Sequence, residues 1–209
     1  MTSLCELTWA GGRSEARLRR RRPGIDALPW APIDLPDAVR REAQAVWSHA
    51  MFLEYASAAA FGALAGALLE AAAPLDLSAM VADLVVDELD HVEVAARLVT
   101  ALGGAAPVNF DLADIAPRPT PGRRARFRAA ELALTTSCIG ETLSVPALGR
   151  GRQLATSPLV AAAISRLLDD EVAHARVGFD VLAWATTGPA ALGADARATL
   201  AAIAEAQLA

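Results

Sequence analysis

From residue 37 onwards, apolar residues recur at the three-to-four-residue spacing of helices, and the chain shows little of the alternation typical of strands. Ser78 is a good N-cap, Gly103 with Gly104 forms a stop signal, and Pro158 follows a capping Ser157. With the other glycines and prolines, these signals divide the pattern into helices. The five predicted helices span about residues 37–69, 78–103, 122–153, 158–184 and 194–209.

The connections between these helices predict how they are arranged. Short loops follow the first and third helices, so each should form an antiparallel hairpin with its successor. Residues 106–121 contain four prolines, cannot be helical and are long for a loop. This pattern predicts an all-α four-helix bundle with one long crossover between helices 2 and 3, plus a C-terminal fifth helix. Residues 1–35 are predicted to be an irregular, Arg-rich N-terminal arm and residues 36–209 the bundle domain.

Composition and charge narrow the function classes. The chain has 209 residues, enough for one domain with a substantial core, and its net charge of −5 gives no general support for nucleic-acid binding. The basic run at residues 17–22 is the exception; a solvated arm is favoured over a nucleic-acid or partner contact.

Two distant cysteines cannot form a disulfide framework or a Cys-x-x-Cys zinc site. No secretory h-region is present, and the most apolar stretch, residues 55–69, is short of the ~20 residues that span a bilayer. We therefore expect a cytoplasmic protein without a membrane partner.

The most informative motif occurs twice. Asp87-Glu88-Leu89-Asp90-His91 and Asp170-Glu171-Val172-Ala173-His174 both read D-E-x-x-H inside an apolar helical stretch. At this spacing the carboxylate and the imidazole project from one helix face. A single Glu-x-x-His would mean little, but two of the three histidines in the chain lie in this arrangement.

Two further glutamates complete a candidate metal site. Glu54 and Glu141 lie in the middle of two other predicted helices, in runs without Arg or Lys. The alternative is that these carboxylates lie on solvated faces or pair with Arg, but unpaired carboxylates are costly to bury. One Glu from each of two helices plus Glu-x-x-His from each of two others is the ligand set of a carboxylate-bridged dinuclear centre. We therefore predict that a pair of cations neutralises the carboxylates.

On these residues, the chain resembles the ferritin-like di-iron carboxylate superfamily over about residues 37–185. It is similar to the small oxidases and oxygenases, such as aldehyde-deformylating oxygenases and tRNA-modifying di-iron hydroxylases. The resemblance implies six catalytic metal ligands: Glu54, Glu88, His91, Glu141, Glu171 and His174. It further implies that Glu88 and Glu171 bridge the ions. Asp87 and Asp170 would accept the outer N–H of a ligand histidine.

The same resemblance implies a function. Two iron ions, with manganese as the alternative, would use O₂ as co-substrate to oxidise a small or medium organic molecule, with electrons from a ferredoxin or reductase. A homodimer is compatible with this family, and no nucleic acid is favoured. The chain lacks the rubredoxin-type cysteines of rubrerythrins and the extra carboxylates of storage ferritins. A ferroxidase or other iron-handling protein and a dimanganese catalase stay open as alternatives.

Several residues near the predicted ligands suggest a substrate pocket. Ser144, one turn after Glu141, has two interpretations: a hydroxyl near the oxygen-binding face, or one bonded back to its own helix. Pro146 should kink or widen the third helix. In the first helix, Gly62 and Gly66 predict a close approach of two helices. Small residues at the level of the metal ligands should leave room beside the ions: Ser57, Ala58, Ser137, Cys138 and Gly140.

Overall fold

The structure, a computed structural model, describes residues 13, 15, 16, 19, 23–109, 115 and 117–209. These residues form helices and loops with no strand among them, which confirms the all-α prediction. After a 3₁₀ turn at Pro23–Ala27, the α-helices are α1 Asp37–Glu70, α2 Leu75–Ala101, α3 Ala125–Leu132, α4 Thr142–Leu154, α5 Pro158–Thr186 and α6 Ala194–Leu208. A π-helical segment, Ala133–Glu141, joins α3 to α4. The third predicted helix is therefore one continuous rod with a wider middle.

Prolines decide where two of the helices begin. The helix predicted from Ser78 starts instead at Leu75, because Pro74 has extended backbone angles and directly precedes the first helical turn. Ser78 is consequently buried inside α2, where its hydroxyl has no hydrogen-bond partner among the described residues. The predicted cap at Ser157 is confirmed, since its Oγ accepts a hydrogen bond from the N–H of Val160 at 3.5 Å.

The long helices pack side by side. α1 lies along α2, α2 also contacts α5, α5 contacts the π segment and α4, and α3 closes against α1. Two of the three buried apolar clusters among the described residues form layers along these helices. One includes Phe61 and Leu64 of α1 with Val81 of α2, and the other includes Leu98 of α2 and Leu167 of α5. Along α2 and α5 the D-E-x-x-H motifs lie between these two layers, so the buried polar groups are enclosed by apolar side chains at both ends.

Part of the N-terminal arm contacts the bundle. Ile25 of the 3₁₀ turn is buried in the apolar layer that contains Leu98. Arg19 donates from one nitrogen to both oxygens of the buried Glu93 at 2.7 Å. The other arginines of the basic run at residues 17–22 lie outside the described residues, and so does most of the arm predicted for residues 1–35.

α1 is the one described helix that is long and apolar enough to cross a membrane by length and composition alone. Its most apolar window has a mean hydropathy of 1.5, and 33% of that window is buried in the protein. The sequence expectation considered only residues 55–69, whereas the helix continues for 34 residues. Core helices of bundles pass the same test, so the result by itself is weak support for a membrane span.

Candidate metal centre

The two D-E-x-x-H motifs meet in the interior of the bundle. Glu88 and His91 project from α2, and Glu171 and His174 from α5. One ligand atom from each of these four residues lies within 4.8 Å of all the others, and each residue is at most 2% exposed. This buried cluster could hold a metal ion.

Each central carboxylate faces both histidines. Glu88 directs Oε2 towards Nδ1 of His91 at 3.6 Å and Oε1 towards Nδ1 of His174 at 2.8 Å. Glu171 does the same, with Oε1 at 3.3 Å from His91 and Oε2 at 3.9 Å from His174. The imidazoles stack with ring centroids 5.5 Å apart. The site therefore offers two equivalent corners, each formed by one imidazole nitrogen and one oxygen from each carboxylate.

Four of the atoms that line these corners lack hydrogen-bond partners among the described residues. Both oxygens of Glu88 and the Nδ1 atoms of His91 and His174 are buried and make no hydrogen bond within the described part of the chain, although oppositely charged atoms lie close by. Buried polar groups are rarely left in this state. A metal ion coordinated by carboxylate oxygens and imidazole nitrogens would satisfy all four atoms, so the residues present fit a bound cation.

Glu54 and Glu141 also reach this cluster. Oε2 of Glu54 on α1 lies 3.5 Å from Nδ1 of His91. Glu141, the last residue of the π segment, is buried and is close enough to Glu171 for a hydrogen bond that raises its pKa. The structure thus brings together all six residues that the sequence analysis selected. Glu54 lies beside the His91 corner, and Glu141 lies against Glu171.

The pKa values of the six groups show how strongly they perturb one another. Burial, reinforced by the neighbouring carboxylates Glu88 and Glu171, raises the pKa of Glu141 to about 11. Burial likewise raises the pKa of Glu54 to about 7. Burial disfavours ionised Glu88 too, but His174 and His91 outweigh it and lower the pKa of Glu88 to about 2. Perturbations of this kind cluster at functional sites.

The histidines shift in the opposite direction. Burial would lower the pKa of His174, but Asp87 and Glu88 stabilise its charged form and raise that pKa to about 9. The pKa of His91 is raised well above its usual value by Asp170 and Glu171, against the effect of burial. In the metal-free protein both imidazoles therefore carry protons that a metal would have to displace.

The first aspartate of each motif forms a hydrogen bond with the histidine of the other motif. Nε2 of His91 lies 3.1 Å from Oδ2 of Asp170, and Nε2 of His174 lies 3.4 Å from Oδ2 of Asp87. This directs Nδ1 of both rings towards the carboxylates. The sequence analysis expected aspartate–histidine pairs but not this exchange between helices. Arg166, one turn before Asp170, forms an ion pair with that aspartate, a contact that the i, i+4 spacing could have indicated.

The π segment is held against α5 by a buried serine. Oγ of Ser137 accepts from the N–H of Gly178 at 2.8 Å and donates to the carbonyl of His174, so it links two groups that an α-helix pairs directly. A Cβ atom added to Gly178 would lie 2.6 Å from Cβ of Ser137 and 2.8 Å from Sγ of Cys138. Close helix approach therefore occurs at Gly178.

The expected close approach at Gly62 and Gly66 is wrong, because a Cβ at either position would meet nothing within 4 Å among the described residues. Three of the small residues expected to leave room beside the ions do not line the cavity next to the cluster: Ala58, Ser137 and Cys138. Ser137 and Cys138 are instead buried against α5, where they allow the π segment to approach Gly178.

Ser144 combines both of its interpretations. Its hydroxyl contacts the carbonyl of Glu141 at 2.8 Å, within its own helix, and Oε2 of Glu171 at 3.0 Å, in the cluster. Pro146 lies inside α4, and the widening expected near it occurs earlier, between Ala133 and Glu141. Glu141 therefore enters the cluster from the end of the π segment.

A cavity of about 560 Å³ opens beside the cluster between α1, the π segment and α4. Glu54, Glu141 and Glu171 reach its wall, whereas Glu88 and the two histidines do not. Phe61 covers the ring of His174 in an edge-on contact with centroids 5.7 Å apart. The side of the cluster that carries the glutamates is therefore the side that a small molecule can reach.

Comparison with models of known protein families, with curated proteins and with solved structures gave no match for this chain.

Proposed function

We propose that this protein is a ferritin-like di-iron oxidase or oxygenase that uses O₂ and an external electron donor to oxidise an organic substrate. The observation that supports it best is the geometry of Glu88 and Glu171, each of which presents one oxygen to each histidine. Two ions placed against the two imidazoles would share both carboxylates. The hairpins α1–α2 and α4–α5, with a single long connection between them, agree with the ferritin-like arrangement.

The charge of the cluster supports two cations rather than one. Four glutamates meet there, and the only positive side chains among the described residues of the cluster are its two histidines. Metal ligation requires neutral imidazoles, which would leave four negative charges in the interior. Two divalent ions balance four carboxylates, whereas one ion would leave two of them uncompensated in a region where such charges are costly.

The donor set favours iron or manganese over a structural zinc site. Mixed carboxylate and imidazole ligands suit iron or manganese, and the cluster contains no thiolate of the kind found in structural zinc sites. When bound, a pair of irons would supply the electrons and the open coordination positions that O₂ reduction requires. Cys138, the one cysteine among the described residues, is buried against Gly178 and does not line the cavity.

The residues around the ligands would prepare the site for this chemistry. Asp87 and Asp170 hold the Nε2 protons, so each imidazole presents Nδ1 to the interior. Ser144 orients Glu171 at the cavity wall. The apolar layers above and below exclude water from the histidine side, which confines the reaction to the cavity.

Iron stoichiometry and oxygen uptake test the proposal. Purified protein reconstituted with Fe(II) without air should bind two irons per chain and consume O₂ on mixing, with faster turnover when an electron donor and substrate are present. His174→Ala should lose at least one iron. His49→Ala, which removes the exposed third histidine, should keep both. Unchanged iron content in His174→Ala or in Glu141→Ala would refute the assignment. A preference for manganese together with peroxide disproportionation would indicate a dimanganese catalase instead. Assembly into an iron-filled cage would indicate an iron-handling protein.

A further inference from the structure

The cavity beside the candidate metal centre carries information about the molecule it would accept. Its volume of about 560 Å³ falls within the ~300–1,000 Å³ typical of pockets for small organic ligands. At the ~30 Å³ that a water molecule occupies in the liquid, it has room for on the order of twenty non-hydrogen atoms. A ligand in this cavity would contact the glutamates of the cluster directly.

Among the residues that the structure describes, no basic group lines the cavity. Apart from the three glutamates, the described lining consists of uncharged side chains. Away from the metal positions, a carboxylate or phosphate placed here would lose its hydration without gaining a cationic partner among the described lining residues. At the metal positions themselves it would occupy the coordination sites that the proposed reaction with O₂ requires.

A cationic substrate is disfavoured for a different reason, which rests on the proposed function. With two divalent ions bound, the four glutamates are balanced, so an ammonium group in the cavity would find no unneutralised partner. The described lining is mostly alanine and other aliphatic residues. It therefore matches an apolar surface on the ligand.

Two hydroxyl groups in this wall are available to a ligand. Ser57 on α1 and Thr136 on the π segment both line the cavity, and neither side chain makes a hydrogen bond with any other residue of the described ranges. Ser144 is different, since its hydroxyl is already engaged by Glu171 and by its own helix. Hydroxyls can donate to a carbonyl or accept from a hydroxyl.

We infer that the substrate is an uncharged, largely apolar organic molecule of up to about twenty non-hydrogen atoms. We also infer that Ser57 and Thr136 hold its single hydroxyl or carbonyl group. The apolar body would lie along the alanine-lined wall formed by α1 and α4. Discrimination between substrates would then come from the absence of charge and from the space left by small side chains, such as the exposed Ala147 on α4.

Three probes of nearly the same shape and different charge test this inference by binding rather than by turnover. They are 2-naphthol, 2-naphthoate and 2-naphthylmethylammonium, titrated at neutral pH into protein loaded with redox-inert Zn(II) and followed by probe fluorescence. We expect 2-naphthol to bind at least about tenfold more tightly than either ion. Burying a charge without a partner costs more free energy than a tenfold difference in affinity represents. Equal or tighter binding of either ion, or no binding of 2-naphthol, would overturn the inference.

Two variants that replace an alanine by tryptophan test where the probe binds. Ala147→Trp fills the cavity from an exposed position on α4, and Ala45→Trp adds the same side chain at an exposed position on α1 that does not line the cavity. The first should weaken 2-naphthol binding at least tenfold and the second should leave it unchanged. If the two variants bind the probe equally well, the cavity is not its site.

The two hydroxyls are tested with 2-naphthol against naphthalene. The double variant Ser57→Ala and Thr136→Val should weaken 2-naphthol binding by roughly two- to tenfold, the worth of one or two ordinary hydrogen bonds, and leave naphthalene unaffected. An equal change in the affinity for both probes would show that Ser57 and Thr136 do not hold the hydroxyl of 2-naphthol.

Zn(II) stoichiometry is measured on the same samples. Fewer than two ions per chain would count against the proposed function, whereas a fully loaded protein that prefers an ionic probe would refute the substrate class alone.

Discussion

At the scale of single residues, the two D-E-x-x-H motifs depend on one another. His91 of α2 is oriented by Asp170 of α5, and His174 of α5 by Asp87 of α2. A carboxylate that accepts the outer N–H of a ligand histidine fixes the tautomer that leaves Nδ1 free for the metal. Because each helix supplies a histidine and the orienting group for the other one, neither motif can form a complete corner of the site alone.

Asp170→Asn tests this dependence. The neutral amide should hold His91 less firmly, and we expect the affinity for the metal at the His91 corner to fall by about 10- to 100-fold. The adjacent exposed Asp169 provides the control, since Asp169→Asn changes the same charge without touching a ligand. Competition between the protein and a chelator for Co(II) measures both affinities. Equal affinities in the two variants would show that the Asp170 contact does not orient the ligand.

At the scale of elements, the sequence was informative about the long helices but placed the widening of the third helix wrongly, near Pro146 instead of between Ala133 and Glu141. Periodicity and the glycine and proline breaks were sufficient for α1, α5 and α6, because those signals are local. The widening between Ala133 and Glu141 has no such signal; it accompanies the contact of Ser137 with the backbone of α5, a partner about forty positions further along the chain. The four clustered residues of the two motifs could be selected because spacing along a helix determines which side chains share a face. The exchange of aspartates between helices could not, since it depends on how α2 and α5 pack.

Gly178→Ala should disturb this element more than any other glycine replacement in a long helix. The added Cβ would overlap Ser137 and Cys138, and the π segment would have to move, which should cost about 1–3 kcal/mol of stability and displace Glu141. Gly62→Ala meets open space in α1 and should stabilise the protein by roughly 0.5–1 kcal/mol. Thermal unfolding gives both values, and metal titration reports on Glu141. A Gly178→Ala variant as stable as Gly62→Ala would contradict the packing described for the π segment.

At the scale of the whole molecule, metal binding and folding should be coupled. The centre of the bundle holds four carboxylates between two apolar layers, and a metal-free fold has to tolerate their desolvation and mutual repulsion. A metal that binds only the folded state stabilises it by mass action, by about 2.7 kcal/mol for one site at a hundredfold excess over its dissociation constant. We expect Fe(II) or Co(II), measured without air, to raise the unfolding temperature by several degrees. An unchanged unfolding temperature in the presence of saturating metal would contradict this coupling.

The protons of the site predict how metal binding depends on pH. Without metal, Glu141 has a pKa of about 11 and His174 of about 9, and the pKa of His91 is raised well above its usual value, so all three are protonated at pH 7. Each must be deprotonated to act as a ligand, and Glu54, with a pKa of about 7, is about half protonated, so loading at pH 7 should release roughly three to four protons. Because metal binding releases protons, the affinity for the metal should increase steeply as the pH rises from 6 to 8. Calorimetric titration in buffers of different ionisation enthalpy counts the protons, and His49→Ala should release the same number. A pH-independent affinity would mean that these groups do not coordinate the metal.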